Sequence, residues 1–339
     1  PSTELQSHYA IGRTPISNAE HTITTTEMVR ALELAKASHM TADHYLASAV
    51  PLGFELDDSS EWVQNPINLS ANSMTAHYQL MMMPISTMQN LDRALKGANI
   101  GVEKMVVSCL ATAEASLLKD EKEYGACLVD IGAGTTNIAV YLDGRLALTH
   151  TLQRGGEHVT RDIAAVLQTT TEEAERIKLS YGCVDLKVVK PDHMIQFQGI
   201  DGPQTISRIE LAEIIIARYE EILTQVHQEL QRNGAIHGLY HGVVLTGDAS
   251  QIEGMVNLAR HMLGVSAHLG NPPVQVHAEE HQQAALRRSQ YATAAGLLMF
   301  SQSDTQDTIV DPVDPEKLSV FKRVGRAWSA LNNQLKSIF

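Results

Sequence analysis

Residues 128–140 constrain this chain more than any other stretch. They read Leu128-Val129-Asp130-Ile131-Gly132-Ala133-Gly134-Thr135-Thr136-Asn137-Ile138-Ala139-Val140. Two apolar runs of strand length flank a turn that carries two glycines, so the segment predicts strand, Gly-rich hairpin, strand. Gly132 and Gly134 admit backbone conformations that a side chain would block. Their amides, with those of Thr135 and Thr136, can then converge on an anion. The two threonine hydroxyls add donors. Asp130 ends the first run, where a carboxylate can hold a hydrated Mg²⁺ beside phosphates. A dinucleotide fingerprint needs a third glycine and then a helix, but here Asn137 and a strand follow. A Walker loop needs Gly-Lys-Ser/Thr, and the turn has no lysine. The competing reading is a structural glycine turn in a β-meander.

A second segment has related chemistry. Val243–Thr246 is a short apolar run that leads into Gly247-Asp248-Ala249-Ser250-Gln251-Ile252-Glu253. This predicts a buried strand, a tight turn and a helix over 251–263, with Ser250 as N-cap and Glu253 as its capping-box partner. A plain strand-to-helix turn is the alternative. Between the two segments lie Gly155-Gly156 and the pair Glu175 and Lys178. Spacing of three places that pair on one helix face, where a solvated salt bridge is the alternative to a ligand contact.

The remaining pattern is an α/β alternation. A helix is predicted from Thr25 with Thr24 or Thr25 as cap, then strands over 45–50 and 75–82 with a loop over 57–68. A helix over 87–96, a strand over 103–107 and a helix over 111–118 precede the glycine hairpin. Asp143-Gly144 marks a further hairpin turn into a strand over 145–151. Residues 155–233 are mainly helical, with a β-like patch at 186–200 and a long amphipathic helix over 207–231. A helix over 289–300 follows.

Composition removes several function classes. The 339 residues carry 26 Lys and Arg against 39 Asp and Glu, a formal charge of −13. That argues against general nucleic-acid binding, which needs a basic surface. Cys109, Cys127 and Cys183 stand at no metal spacing, which suggests buried thiols in a reducing compartment. No apolar run reaches the roughly 18 residues of a membrane span. The chain opens on Pro1 rather than Met, which suggests a fragment.

The charge is unevenly spread. Residues 301–316 hold Asp304, Asp307, Asp311, Asp314 and Glu316 with no basic residue, an acidic linker. Residues 317–339 then form a basic stretch in which Phe321, Val324, Trp328, Leu331, Leu335 and Ile338 recur at steps of three and four. That spacing is one apolar face of a helix. Lys322, Arg323 and Arg326 flank it, Phe339 ends it, and Trp328 suits a headgroup boundary. Such a helix lies on a bilayer rather than crossing it. Each buried large side chain contributes on the order of 1.5 kcal/mol, and each cation near anionic lipid ~1 kcal/mol. Packing on the protein's own core is the alternative.

Taken together, these segments resemble the FtsA family of bacterial actin-like division proteins. The resemblance is carried by IGRTPIS (11–17), VQNPINLSANSMTAHYQL (63–80), ACLVDIGAGTTNIAVYLDG (126–144), GGEHVTRDIA (155–164), EEAERIKLSYGCV (172–184), GVVLTGDASQIEG (242–254) and ATAAGLL (292–298). It implies an α/β fold of the actin-like ATPase (ribonuclease H-like) kind, with a family-specific 1C subdomain and a C-terminal amphipathic helix. It implies 1C over 1–82, the rest of 1A over 83–122, 2A over 123–158, 2B over 159–239, and the return of 2A and 1A over 240–300. ATP with Mg²⁺ would be held by Asp130, Gly132, Gly134, Thr135, Thr136, Asn137, Gly155, Gly156, Glu175, Lys178, Gly247, Asp248 and Ala249, with Asp130 meeting the metal through water. Asp248 stands where the family usually has glycine, and a carboxylate there crowds or repels a nucleotide unless it points away. No second phosphate hairpin occurs in residues 1–120, so a chain without the family's first phosphate loop is expected. The resemblance also implies polymerisation, docking of the FtsZ C-terminal peptide on 2B, and recruitment of later division proteins. The site of action would be the cytoplasmic face of the bacterial inner membrane at the division site, with at most weak ATPase activity. A scaffold of the PilM kind and a phosphotransferase of the same fold are the alternatives.

Overall fold

The computed structural model describes residues 5–102, 105–190, 192–270 and 288–302. The acidic linker beyond residue 302 and the amphipathic segment over 317–339, with the residues expected to face a membrane from Phe321 to Phe339, lie outside the described residues.

The N-terminal unit is a four-stranded antiparallel sheet backed by one helix. Its strands are β1 (Gln6–Pro15), β2 (His44–Leu56), β3 (Trp62–Val63) and β4 (Ser73–Pro84), in the order β1-β4-β2-β3. Helix α1 (Thr25–Ala37) starts where the sequence sets it. Thr24 accepts from the Thr26 amide, and Glu27 returns to the Thr24 amide at 2.9 Å, closing a capping box. β1 escapes periodicity because its inward residues are small. Ala10, Gly12 and Thr14 face α1, while Tyr9, Ile11 and Arg13 face out. α1 presses so close that a Cβ on Gly12 would lie 1.8 Å from the Ala31 carbonyl oxygen. β2 runs past Pro51 because the register against β4 shifts between Pro51 and Gly53, a bulge that relieves the missing amide.

Helices α2 (Ile85–Gly97), α3 (Ser108–Ser116) and α4 (Lys119–Tyr124) lead to the central sheet. The strand predicted over 103–107 is not formed in its described part: Met105–Val107 pairs with no strand and runs directly into α3. The central sheet contains β5 (Ala126–Ile131), β6 (Thr136–Leu142), β7 (Arg145–Leu152), β10 (Gly242–Thr246) and β11 (Ala267–Leu269), ordered β11-β10-β5-β6-β7. β5, β6 and β7 are an antiparallel meander, and β10 lies parallel to β5 with Thr246 beside Asp130.

Alternation along β5 divides the core. Cys127, Val129 and Ile131 pack with α5 (Gly156–Leu167), α6 (Thr171–Tyr181), α7 (Arg208–Arg232) and α8 (Met255–Leu263), through residues such as Val159, Ile163, Ile177, Tyr219 and Ala259. Ala126 and Leu128 face Leu110, Ala113 and Leu117 around α3, with Met81 and Leu52 of the N-terminal sheet. Helix α9 (Ala292–Gln302) packs on α3 at Gly296, where a Cβ would meet the Ala111 oxygen at 1.7 Å. The β-like patch before α7 is the hairpin of β8 (Met194–Gly199) and β9 (Gly202–Ser207). All three cysteines are buried free thiols.

The predicted cap at Ser250 is corrected. Asp248–Gln251 forms a short 3-10 turn in which the Ser250 hydroxyl donates to the Gly247 oxygen at 2.7 Å. Glu253 is drawn into a bridge with Cys183, and its carboxylate meets Arg208 at 2.6 Å. The chain is therefore held extended to Gly254, which opens α8 with φ +93°.

Candidate functional site

The C-terminal ends of the parallel strands β5 and β10 meet at one cleft. β5 ends at Asp130-Ile131, and the Gly132–Thr135 turn is closed by the Gly132 amide donating to the Thr135 oxygen at 2.9 Å. This corrects the expectation that the Gly132 amide is offered to an anion. Among the described residues the amides of Ala133 and Gly134 make no hydrogen bond, and a Cβ built on Gly134 would meet nothing within 4 Å. The open backbone of the turn is therefore centred on these two residues. Thr136 is also corrected: its hydroxyl is buried and donates to the Arg154 oxygen at 2.9 Å, inside the meander.

Asn137 sits behind the turn, its side-chain oxygen accepting from Thr151 at 3.0 Å and its amide 3.5 Å from Asp130. Asp130 is buried, and among the described residues its carboxylate has only that hydrogen-bond contact and the Thr112 hydroxyl at 3.5 Å. Both are long for hydrogen bonds. Burial pushes its carboxyl above the usual carboxylate range, opposed in part by Asn137 and then Thr112. A buried, thinly partnered carboxylate at a strand end fits a hydrated cation whose remaining ligands are water and phosphate. Among the described residues no group of three or more His, Cys, Asp or Glu side chains could hold a metal ion.

Gly155 and Gly156 dock the first turn of α5 on the hairpin. The Gly156 and Glu157 amides donate to the Gly132 and Ala133 oxygens at 2.9 and 2.8 Å. A Cβ on Gly155 would lie 2.5 Å from both oxygens, which is why glycine stands there. Beside that turn, Lys178 meets Glu175 at 2.7 Å, the Thr160 hydroxyl at 2.8 Å and the Gly156 oxygen at 3.2 Å. Thr160 also donates to Glu175. The pair is thus a buttressed corner of the cleft rather than a solvated helix face.

The opposite wall is the turn after β10. Gly247 has φ +86°, and a Cβ there would meet the Ile131 oxygen at 2.4 Å and Asp130 Oδ1 at 2.6 Å. Ala249 closes the floor: its oxygen accepts from the Tyr219 hydroxyl at 2.7 Å, and a Cβ on Gly156 would lie 2.9 Å from its methyl. Burial raises the Tyr219 phenol, with Glu175 and then Asp248 adding to it. Asp248 itself is exposed in the cleft. Ala133, Gly156, Lys178, Tyr219, Asp248 and Ala249 line a cavity of about 790 Å³, within the range of ligand pockets.

Thr160, Tyr219 and Ser289 were missed by sequence reasoning. Thr160 carries a signal, since it stands four residues after Gly156 on the same helix face and donates to its oxygen at 3.1 Å. Ser289, which donates to the Gly247 oxygen at 3.3 Å, carries none.

An antiparallel meander, a parallel strand and a cleft at their common end define an actin-like fold. The chain superposes on the "PilM-PilN type IV pilus biogenesis complex" with TM-score 0.61 and 17% identity, covering 88% of this chain and 77% of that one. It superposes on MreB 5 of Spiroplasma citri bound to AMPPNP with TM-score 0.51 and 16% identity, covering 65% of each chain. Within that fold the chain belongs to the FtsA family of cell division proteins. A family model described as "Cell division protein FtsA" matches residues 127–296, and one described as "SHS2 domain inserted in FTSA" matches residues 3–82. Cell division protein FtsA of Pseudomonas aeruginosa is 32% identical over 309 residues, covering 88% of this chain and 73% of that protein. Its Escherichia coli K12 counterpart is 32% identical over 301 residues, covering 86% and 70%.

Proposed function

We propose that this chain is a nucleotide-switched adaptor of cell division, holding ATP with Mg²⁺ in the cleft and tethering FtsZ to the cytoplasmic face of the bacterial membrane. The observation that carries the nucleotide reading is the convergence of the Ala133–Gly134 turn, Gly155-Gly156, the Glu175–Lys178 corner and Gly247–Ala249 on one cavity of ligand size. Asp130 would hold Mg²⁺ through water, and the ion would supply neutralisation of the phosphate charge. The nucleotide is read as a switch on self-assembly. Family membership supports the adaptor role, and the bound AMPPNP of the MreB 5 neighbour supports a nucleotide in this fold. The FtsZ C-terminal peptide is assigned to residues 159–239, self-assembly to residues 1–82, and membrane attachment to the apolar face of residues 321–339. Later division proteins would be recruited to the assembled polymer.

ATP titration tests the cleft. Gly134→Val faces open space, so it should fold as the parent does and lose at least about tenfold in ATP affinity by blocking the turn. Lys178→Ala should also weaken binding. If folded Gly134→Val binds ATP as tightly as the parent, the turn does not hold phosphate.

A further inference from the structure

Each cation that lines the cleft already has a carboxylate. Lys178 pairs with Glu175 at 2.7 Å, Arg208 with Glu253 at 2.6 Å and Arg161 with Glu157 at 3.5 Å. Asp248 and Glu172 also line the cavity, and among the described residues neither makes a hydrogen bond or ion pair. Among the described residues the cleft therefore presents two more carboxylates than cations. Asp248 is the better placed of the two to act on a ligand. It follows Gly247, whose backbone lies against Asp130 and Ile131 at the start of the glycine hairpin. It is also close enough to the Tyr219 hydroxyl, on the cavity floor, to raise that phenol's pKa.

We infer that Asp248 is a specificity-determining residue that makes polyphosphate entry depend on a divalent cation. The inference rests on the nucleotide reading of the cleft. A nucleoside triphosphate brings about four negative charges, and a partly screened carboxylate lining the same cavity costs about tenfold in affinity for each close charge pair it forms with them. Lys178 and Arg208 do not cancel this, because their own carboxylates already hold them. A divalent ion on the phosphates does cancel it, since it removes two charges from the ligand as the ligand enters. An uncharged nucleoside meets no such barrier. The cavity thus discriminates by ligand charge rather than by shape alone.

The test compares the full chain with Asp248→Asn, which keeps the size, and Asp248→Gly, which removes the side chain. ATP and adenosine are titrated into each, in excess Mg²⁺ and in EDTA. Asp248 is exposed and unpartnered, so all three proteins should melt alike. In EDTA both variants should bind ATP about tenfold tighter than the parent. In Mg²⁺ the gap should shrink to about threefold or less, and Asp248→Asn should leave adenosine affinity unchanged. Equal ATP affinity of parent and variants in EDTA overturns the inference, as does an equal gain for adenosine. Failure of the nucleotide reading has a different signature: no folded protein of the three binds ATP or adenosine even in Mg²⁺, and the inference falls with it.

Discussion

Gly247 is the residue on which the cleft turns. Its φ of +86° and its contact with Ile131 and Asp130 leave no room for a side chain. Gly247→Ala should cost at least about 2 kcal/mol, read as a lower denaturation midpoint with an unchanged slope. Asp130 works in the opposite sense. Its folded carboxyl is raised by burial, so the unfolded chain ionises first as pH rises. Its contribution to stability is therefore full below the unfolded value, about pH 4, and is lost as pH rises through the folded value. Asp130→Asn should be more stable than the parent near neutral pH, equal to it near pH 4, and weaker in Mg²⁺-dependent ATP binding. That combination of greater stability and weaker binding is expected where a site holds strain for its ligand.

At the level of elements, legibility followed side-chain pattern. The start of α1 at Thr24 or Thr25, the start of α7 at Ser207, the glycine hairpin and the buried run Val243–Thr246 all read correctly, because each has a local signal. β1 did not, because its inward side chains are small and its outward ones apolar, which inverts the usual alternation. The start of α8 was misread because a tertiary bridge from Cys183 to Glu253 overrides local capping. The cleft's residues were legible as motifs, but which amides remain open was not, since that depends on how α5 docks. The N-terminal unit also carries a titrating element that no motif announced. His8 of β1 lies near His39 and His44, the rings of His8 and His39 being 5.6 Å apart, and His44 pairs with Asp43 at 3.0 Å. Burial and then the two neighbouring histidines lower the His8 pKa. Above the ordinary histidine value of 6.5 the contribution is complete. As pH falls below it the unfolded chain takes up the proton first, and stability is lost. The parent's Tm should drop more steeply between about pH 7 and pH 5 than that of His8→Gln.

For the whole molecule, the described body and the C-terminal stretch are expected to have separate duties. No described helix is long and apolar enough to cross a membrane, and residues 317–339 supply the amphipathic face that would lie on one. Trp328→Glu places a charge in the middle of that face. It should reduce co-sedimentation with anionic vesicles by about tenfold or more while leaving ATP affinity at the parent's value. Equal sedimentation of parent and variant would sink the tether. Because many tails on one polymer bind together, the deficit should be larger in dilute, unassembled protein than under polymerising conditions.

The Gly247 oxygen accepts from both Ser250 and Ser289, the second from 42 residues further along the chain. This makes the cleft a late product of synthesis. The four-stranded sheet is complete by Pro84, and the glycine hairpin has been made by Thr136. The turn that closes over the hairpin is not fastened until Ser289 and α9 have left the ribosome. A nascent chain would therefore carry a folded N-terminal sheet well before it carries a fastened cleft.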